Sequence, residues 1–351
     1  MAKIRKSLTF LLYLWLTENQ LETAKSFFEA FSQSKVQSFQ ALPQSGSARK
    51  NYIAKNEEST FVVTENSNIR ENETFLYFTE IFSEQNLNTP KIYKISQDRT
   101  LYIQEFLGKE TLSEIIANEG LSERTKNLVK KTLEQLFILQ NKTKGKIDFT
   151  KTFEYERYDE LPILHDLNYF KFMFVDVLEL PYHKTTLLKE FQKLAKIIND
   201  CEPKTLMIRD FQARNIMVNS TDEISFIDYQ SAMEGPAMYD VVSFLYQAKA
   251  NFPEIFREEM LGYYYAFFND DEEIISKLKN SLMPIRLIRN LQVLGAYGFR
   301  GLVQGKEHFV KSIPQGITNL QETANAWQEM KYFPELQKII ANLVEIKLKN
   351  K

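Results

Sequence analysis

Leu206-Met-Ile-Arg209-Asp210-Phe-Gln-Ala-Arg-Asn215-Ile-Met-Val218, followed by Ile224-Ser-Phe-Ile-Asp228-Tyr-Gln230, decides how this chain reads. Three short runs rich in branched residues, Leu206–Ile208, Ile216–Val218 and Ile224–Ile227, predict three strands. Asp210 follows the first run, Asn215 precedes the second and Asp228 follows the third. A loop, a hairpin and a second loop would bring the three side chains to one mouth. Phosphoryl transfer needs such a set. One carboxylate orients and deprotonates an attacking hydroxyl; an amide oxygen and a second carboxylate hold the metal ions that bridge nucleotide phosphates. Mg²⁺ prefers a few hard oxygen ligands together with phosphate and water. Asp and Asn are also common turn residues, so the reading rests on the set and its strands rather than on any one residue.

Read together with Ser231-Ala-Met-Glu-Gly235-Pro236-Ala-Met-Tyr239-Asp240, this stretch resembles the aminoglycoside phosphotransferase-like kinases, a branch of the protein-kinase-like superfamily. Within that branch it is similar to the bacterial anomeric kinases of N-acetylmuramate and N-acetylglucosamine. The resemblance extends to Leu42-Pro-Gln-Ser45-Gly46-Ser47, Leu101-Tyr-Ile-Gln104-Glu105-Phe106-Leu-Gly108, Asp166-Leu-Asn168-Tyr169-Phe170 and Leu291-Gln-Val-Leu-Gly295-Ala-Tyr297-Gly298-Phe-Arg300. It implies an α+β, protein-kinase-like two-lobed fold with a small β-rich N-lobe and a mostly helical C-lobe. The implied lobes are residues 41–107 for nucleotide binding and 108–351 for catalysis and substrate, after a helical extension over residues 1–40.

The resemblance also implies ATP and Mg²⁺ as cofactors, Asp210 as catalytic base, and Asn215 and Asp228 as metal ligands. Gln104, Glu105 and Phe106 become the hinge whose main chain reads adenine. Asp240 becomes a structural support beneath the catalytic loop; an acid just before the apolar run Val241–Tyr246 also suits a helix N-terminus. Asp166, Asn168 and Tyr169 lie where the family builds its substrate pocket, and Gln212 and Arg300 are further candidates to touch sugar. Sugars are held by such polar groups with aromatic rings against their C–H faces.

Several residues keep two readings. Ser45-Gly46-Ser47 holds the only Gly of the first hundred residues; it suits a backbone cradle for phosphate and equally a hairpin turn. Arg214 suits a phosphate contact or a salt bridge to a nearby carboxylate. Gly295, Gly298 and Gly301 fit a close helix contact without a ligand. Glu154, Glu156, Asp159 and Glu160 form an acidic cluster of the kind a polycationic aminoglycoside needs, and also a solvated loop.

Two departures stand out. The family His before Arg-Asp is Ile208 here, and the Lys expected on the third small-lobe strand is absent from Phe61-Val-Val-Thr-Glu65, with Lys50 and Lys55 upstream. Kinases use that Lys against phosphate charge, so a nucleotide-binding regulatory pseudokinase stands as an alternative, beside an aminoglycoside or other alcohol kinase.

The 351 residues suffice for two lobes. A net charge of −2 gives no electrostatic case for nucleic acid. The single Cys201 cannot staple a fold, which fits a reducing, cytoplasmic setting. Leu8–Leu16 after Lys3, Arg5 and Lys6 imitates a signal peptide, but it is too short to span a bilayer and no cleavage site follows. No stable membrane insertion is expected, and a small-molecule sugar is the expected partner. Apolar stripes predict helices over 20–32, 70–85, 121–140, 185–199, 250–268 and 273–294.

Overall fold

The computed structural model describes residues 21–43 and 49–343. The Leu8–Leu16 run and Ser45-Gly46-Ser47 lie outside the described residues. The chain forms two compact units. The first reaches Lys109 and takes in Val218–Gln230; the second is Glu110–Met217 with the chain from Ser231 onward.

The first unit begins with helix α1 over residues 21–32, then β1 (Ser38–Ala41), β2 (Lys50–Lys55), β3 (Thr60–Glu65), α2 (Ile69–Glu84), β4 (Ile92–Ile95) and β5 (Leu101–Glu105). The strands make one antiparallel sheet in the order β1-β2-β3-β5-β4. Side chains alternate across it. One face presents Tyr52, Ala54, Val63, Leu101 and Ile103, and Ala24 and Phe28 of α1 close over them. Residues 21–40, expected as an extension apart from the small lobe, are therefore part of it. The reason is burial: without α1 this sheet face would stand in water. The other face carries Asn51, Thr64 and Tyr102 in register. There α2 packs, with Phe75 stacked on Tyr102 at 5.3 Å between ring centres. Asn68 caps α2 by accepting the Glu71 N–H.

The chain then enters the second unit with β6 (Glu110–Thr111), α3 (Leu112–Glu119), α4 (Glu123–Lys142), α5 (Glu160–Phe170), α6 (Lys184–Asn199), β7 (Lys204–Met207) and β8 (Ile216–Val218). From Val218 to Gln230, which carries β9 (Ile224–Phe226), it belongs to the first unit again. This segment was expected with residues 108–351. Within the first unit the Phe226 N–H donates to the Asn88 carbonyl at 2.9 Å, and Tyr229 is fully buried against Phe75 and Phe82 of α2. From Ser231 the second unit adds β10 (Met233–Pro236), α7 (Met238–Leu245), α8 (Glu254–Ala266), α9 (Glu272–Tyr297), α10 (Glu307–Val310), α11 (Ile313–Ala326) and α12 (Pro334–Asn342).

Within the second unit β7 and β10 pair antiparallel, with Met207 opposite Met233. Helix α9 packs on α5, α7 and α11. Near its end the backbone relaxes into a π-helical turn, Gly298–Val303, against a second one at Lys171–Val175. A Cβ on Gly295 would meet Phe170 N at 3.0 Å, and one on Gly298 would fall inside the Met173 carbonyl. These glycines serve close backbone packing. No helix among the described residues is long and apolar enough to cross a membrane.

Candidate active site

In the second unit the decisive loop begins where β7 ends. Asp240, in the first turn of α7, is fully buried. Its two oxygens accept the main-chain N–H groups of Ile208 at 2.6 Å and Arg209 at 3.0 Å. Burial pushes its carboxyl up to about 7, against the pull of those two N–H donors. Arg209 sits at φ +72, a left-handed conformation that costs a non-Gly residue roughly 1–2 kcal/mol, and the Asp240 clamp helps to hold it there. The Arg209 guanidinium points into the unit and meets Asp166 at 3.0 Å. Burial opposes its charge, but Asp166 and its neighbours outweigh this and raise its pKa.

Asp210 follows. Its carboxylate is about one-third exposed and accepts Arg214 Nη2 at 2.6 Å. The Asn215 side chain donates to the Asp210 carbonyl at 2.9 Å and lies 3.4 Å from its Oδ2. The Asn215 N–H closes the turn onto the Gln212 carbonyl at 2.8 Å, and the Ala213 N–H donates to Gln247 Oε1 at 3.2 Å. Asp210, Arg214 and Asn215 thus form one hydrogen-bonded loop whose outer member is a solvent-reachable carboxylate.

The residues expected to touch sugar already have partners within the second unit. Asp166 is 2% exposed; one oxygen faces Arg209 and the other accepts the Tyr158 hydroxyl at 2.8 Å. It braces the loop through Arg209 and has no free face for a ligand. Asn168 donates to the Leu164 carbonyl within its own helix at 2.8 Å. Tyr169 packs between His165 and Phe299. Arg300 lies over the Phe309 ring, and Gln212 is half-buried at the head of the 3₁₀ turn. Cys201 is buried, and burial pushes its thiol up to about 11, which removes it as a nucleophile. An open groove of about 680 Å³ is lined in part by Asn168, Lys171, Tyr182 and Leu188, and within it Lys171 pairs with Asp176 at 2.8 Å.

In the first unit Asp228 sits at φ +64, its side chain 37% exposed. Tyr229, immediately after it, anchors the turn: its ring stacks on Phe75 at 4.9 Å and its hydroxyl lies 2.7 Å from Thr79 Oγ1. Gln230 Nε2 donates to Asp228 Oδ1 at 3.1 Å. The same carboxylate lies 3.3 Å from Arg49 Nη1, while Arg49 Nη2 donates to Glu71 Oε1 of α2 at 2.7 Å. Asn66 Nδ2 holds the other Glu71 oxygen at 2.9 Å. Arg49 stands one residue ahead of β2, not on β3 where the family places its Lys, and beside Lys50 nothing in the local sequence sets it apart. At the end of β5, Gln104 donates to Thr64 Oγ1 at 2.8 Å and the Glu105 N–H donates to the Lys91 carbonyl at 2.9 Å. Phe106 follows, half-buried.

The sequence profile of the Phosphotransferase enzyme family matches residues 39–274. The chain belongs to this family. It is 26% identical over 163 residues to the N-acetylmuramate/N-acetylglucosamine kinase of Pseudomonas putida, a match over 44% of this chain and 46% of that protein, so under half of that relative is spanned. It is 23% identical over 251 residues to the kinase of the same name from Neisseria meningitidis serogroup B, over 70% of this chain and 73% of that one. Among solved structures, the AMP complex of a spectinomycin phosphotransferase superposes with a TM-score of 0.62 at 13% identity, covering 88% and 98% of the two chains. The choline kinase LicA of Streptococcus pneumoniae gives 0.56 at 16%, covering 87% and 99%. Identities this low carry the fold alone, which is the α+β protein-kinase-like fold.

The family makes this chain a phosphotransferase with a hydroxyl acceptor, and ATP and Mg²⁺ are the cofactors of such an enzyme. Each unit carries a hard oxygen donor of the kind that ion takes, Asn215 in the second and Asp228 in the first. No group of three or more His, Cys, Asp or Glu able to hold a metal occurs among the described residues.

Proposed function

We propose that the chain phosphorylates the C1 hydroxyl of an amino sugar, N-acetylmuramate or N-acetylglucosamine, from ATP in the cytoplasm. The observation that carries this is the likeness, over 70% of the chain, to a kinase named for those two sugars. The charge around Asp210 supports it. Arg214 is paired to that carboxylate at 2.6 Å, and a second guanidinium, Arg289, lies buried in the same unit with its Nη1 on the Tyr239 hydroxyl at 3.1 Å. A polycationic aminoglycoside would be repelled there, whereas a neutral or anionic sugar would not. In the acidic cluster, Asp159 already accepts the Leu161 N–H as a helix cap at 3.0 Å.

In this reading Asp210 orients the anomeric hydroxyl and takes its proton as the oxygen attacks the γ-phosphorus and ADP leaves. An anomeric hydroxyl is more acidic than an ordinary alcohol, so positioning carries much of the work. Asn215 and Asp228 would hold Mg²⁺, which neutralises phosphate charge when bound. Ser45, Gly46 and Ser47 remain candidates for binding the phosphates, and the main chain of Gln104–Phe106 would read the adenine. Gln212, Asn168, Tyr169 and Arg300 remain candidates for sugar contacts. Asp166 acts instead as a positioning residue through Arg209, and Asp240 as the support of the loop. Phosphorus NMR of reactions with both sugars, a kanamycin-type acceptor and choline tests the assignment. An acid-labile anomeric phosphate on either sugar is expected. Phosphate at C6, transfer only to the antibiotic or choline, or no transfer at all would overturn it.

A further inference from the structure

We propose that Arg49 supplies the positive charge that holds the donor's phosphates, delivered from the foot of β2 because β3 has no cation to offer. The proposal rests on the chain being an ATP-dependent kinase. The task needs a cation tied to a helix carboxylate and close to the metal-binding Asp. The β3 side chain on the α2-facing side of the sheet is Thr64, fully buried and donating to Asn51 Oδ1 at 2.8 Å. Thr64 stands opposite Asn51 in β2. Arg49 lies two residues before Asn51, and period-two alternation puts it on that same face. The charge has thus moved one strand over within one face of the sheet.

Its surroundings match the task. The guanidinium is only 9% exposed, a costly location for a charge. Glu71 takes one arm at 2.7 Å and is itself fixed by Asn66, while Asp228 stands at 3.3 Å from the other arm. The planar fork can bridge a carboxylate and a phosphate oxygen at once. Lys50, the next residue, falls on the opposite face by the same alternation.

Binding of Mg·ADP and of adenosine to wild type, Arg49→Gln and Arg49→Lys, measured by calorimetry, separates a phosphate contact from a structural tie. Arg49→Gln should weaken Mg·ADP by about 10- to 100-fold, the range for a lost charge-assisted hydrogen bond, with adenosine unchanged. Arg49→Lys should recover part of the loss. In the wild-type protein the Arg49 guanidinium NMR signal, assigned by its absence from Arg49→Lys, should shift with Mg·ADP and stay in place with adenosine; this readout stands even if Arg49→Gln does not fold. Equal weakening of both ligands, or no weakening, overturns the role of Arg49 alone. A wild-type protein that binds neither ligand overturns the ATP-kinase reading and this role with it.

Discussion

At Asp210 the loop has two tasks: to leave a carboxylate reachable and to keep it from wandering. The Asn215 amide and Arg214 restrain it, while Asp240 fixes the two preceding N–H groups from below. Asp210→Asn keeps the shape of the side chain and removes its basicity. Turnover is expected to fall by about 10²–10⁴-fold, the usual share of a general base, with an unchanged thermal melt. Steady-state kinetics beside a melting curve check this, and turnover within threefold of wild type would remove Asp210 from that role. Asp228 is held differently, by the burial of its neighbour. Tyr229→Ala should cost about 3–5 kcal/mol, as for a large aromatic lost from a core, and should impair Mg²⁺-dependent turnover beyond that loss of stability because the Asp228 turn loses its anchor. Denaturant unfolding and a Mg²⁺ titration of activity measure the two effects separately.

Two elements work through closeness of backbone. The π-helical turns Lys171–Val175 and Gly298–Val303 approach so tightly that Gly298 has no room for a methyl against the Met173 carbonyl. The obstruction is main chain rather than a flexible side chain, so an element must shift. Gly298→Ala is expected to destabilise by about 1–3 kcal/mol, the usual cost of overpacking, whereas Gly262→Ala, with no atom within 4 Å of the new Cβ, should stabilise α8 slightly. Urea titrations of the two variants give the comparison; equal midpoints would show that the close contact is not rigid. In the first unit α1 and α2 divide the two faces of one sheet. The α1 face is apolar and sealed by Phe28. The α2 face carries the polar ladder Asn51–Thr64–Gln104 and ends at Arg49.

For the whole molecule the buried Asp240 makes stability depend on pH. Its folded carboxyl is pushed up to about 7 by burial, against about 3.9 for an unfolded Asp. Below pH ~4 both states hold the proton and stability is unaffected. As pH rises from ~4 to ~7 the unfolded chain releases its proton first, so stability falls, by about 1.4 kcal/mol for each unit of separation. Asp240→Asn removes this titration and also weakens the grip on the loop. Its stability relative to wild type should therefore climb between pH 4 and 7, even though its turnover falls. Chemical denaturation of both proteins across that range tests it; a difference independent of pH would mean that the two N–H donors keep Asp240 ionised throughout.

Local sequence determined the strands around Asp210, Asn215 and Asp228, because a run of branched residues and a short turn depend on neighbours in the chain. It also determined helices α1, α2, α4, α6, α8 and α9, whose apolar stripes carry a period of their own, and it pointed to a close helix contact at Gly295, Gly298 and Gly301. What Arg49, Asp166 and α1 do was decided only by the tertiary structure. Arg49 meets Glu71 across 22 residues, and Arg209 meets Asp166 across 43. No local pattern reports which carboxylate a buried guanidinium will find. Likewise α1 reads as an amphipathic helix wherever it lies, and only the bare apolar face of the sheet says what covers it. The substituted cation is the clearest case: its strand is set by sequence, but its task depends on which residues share one face of a folded sheet.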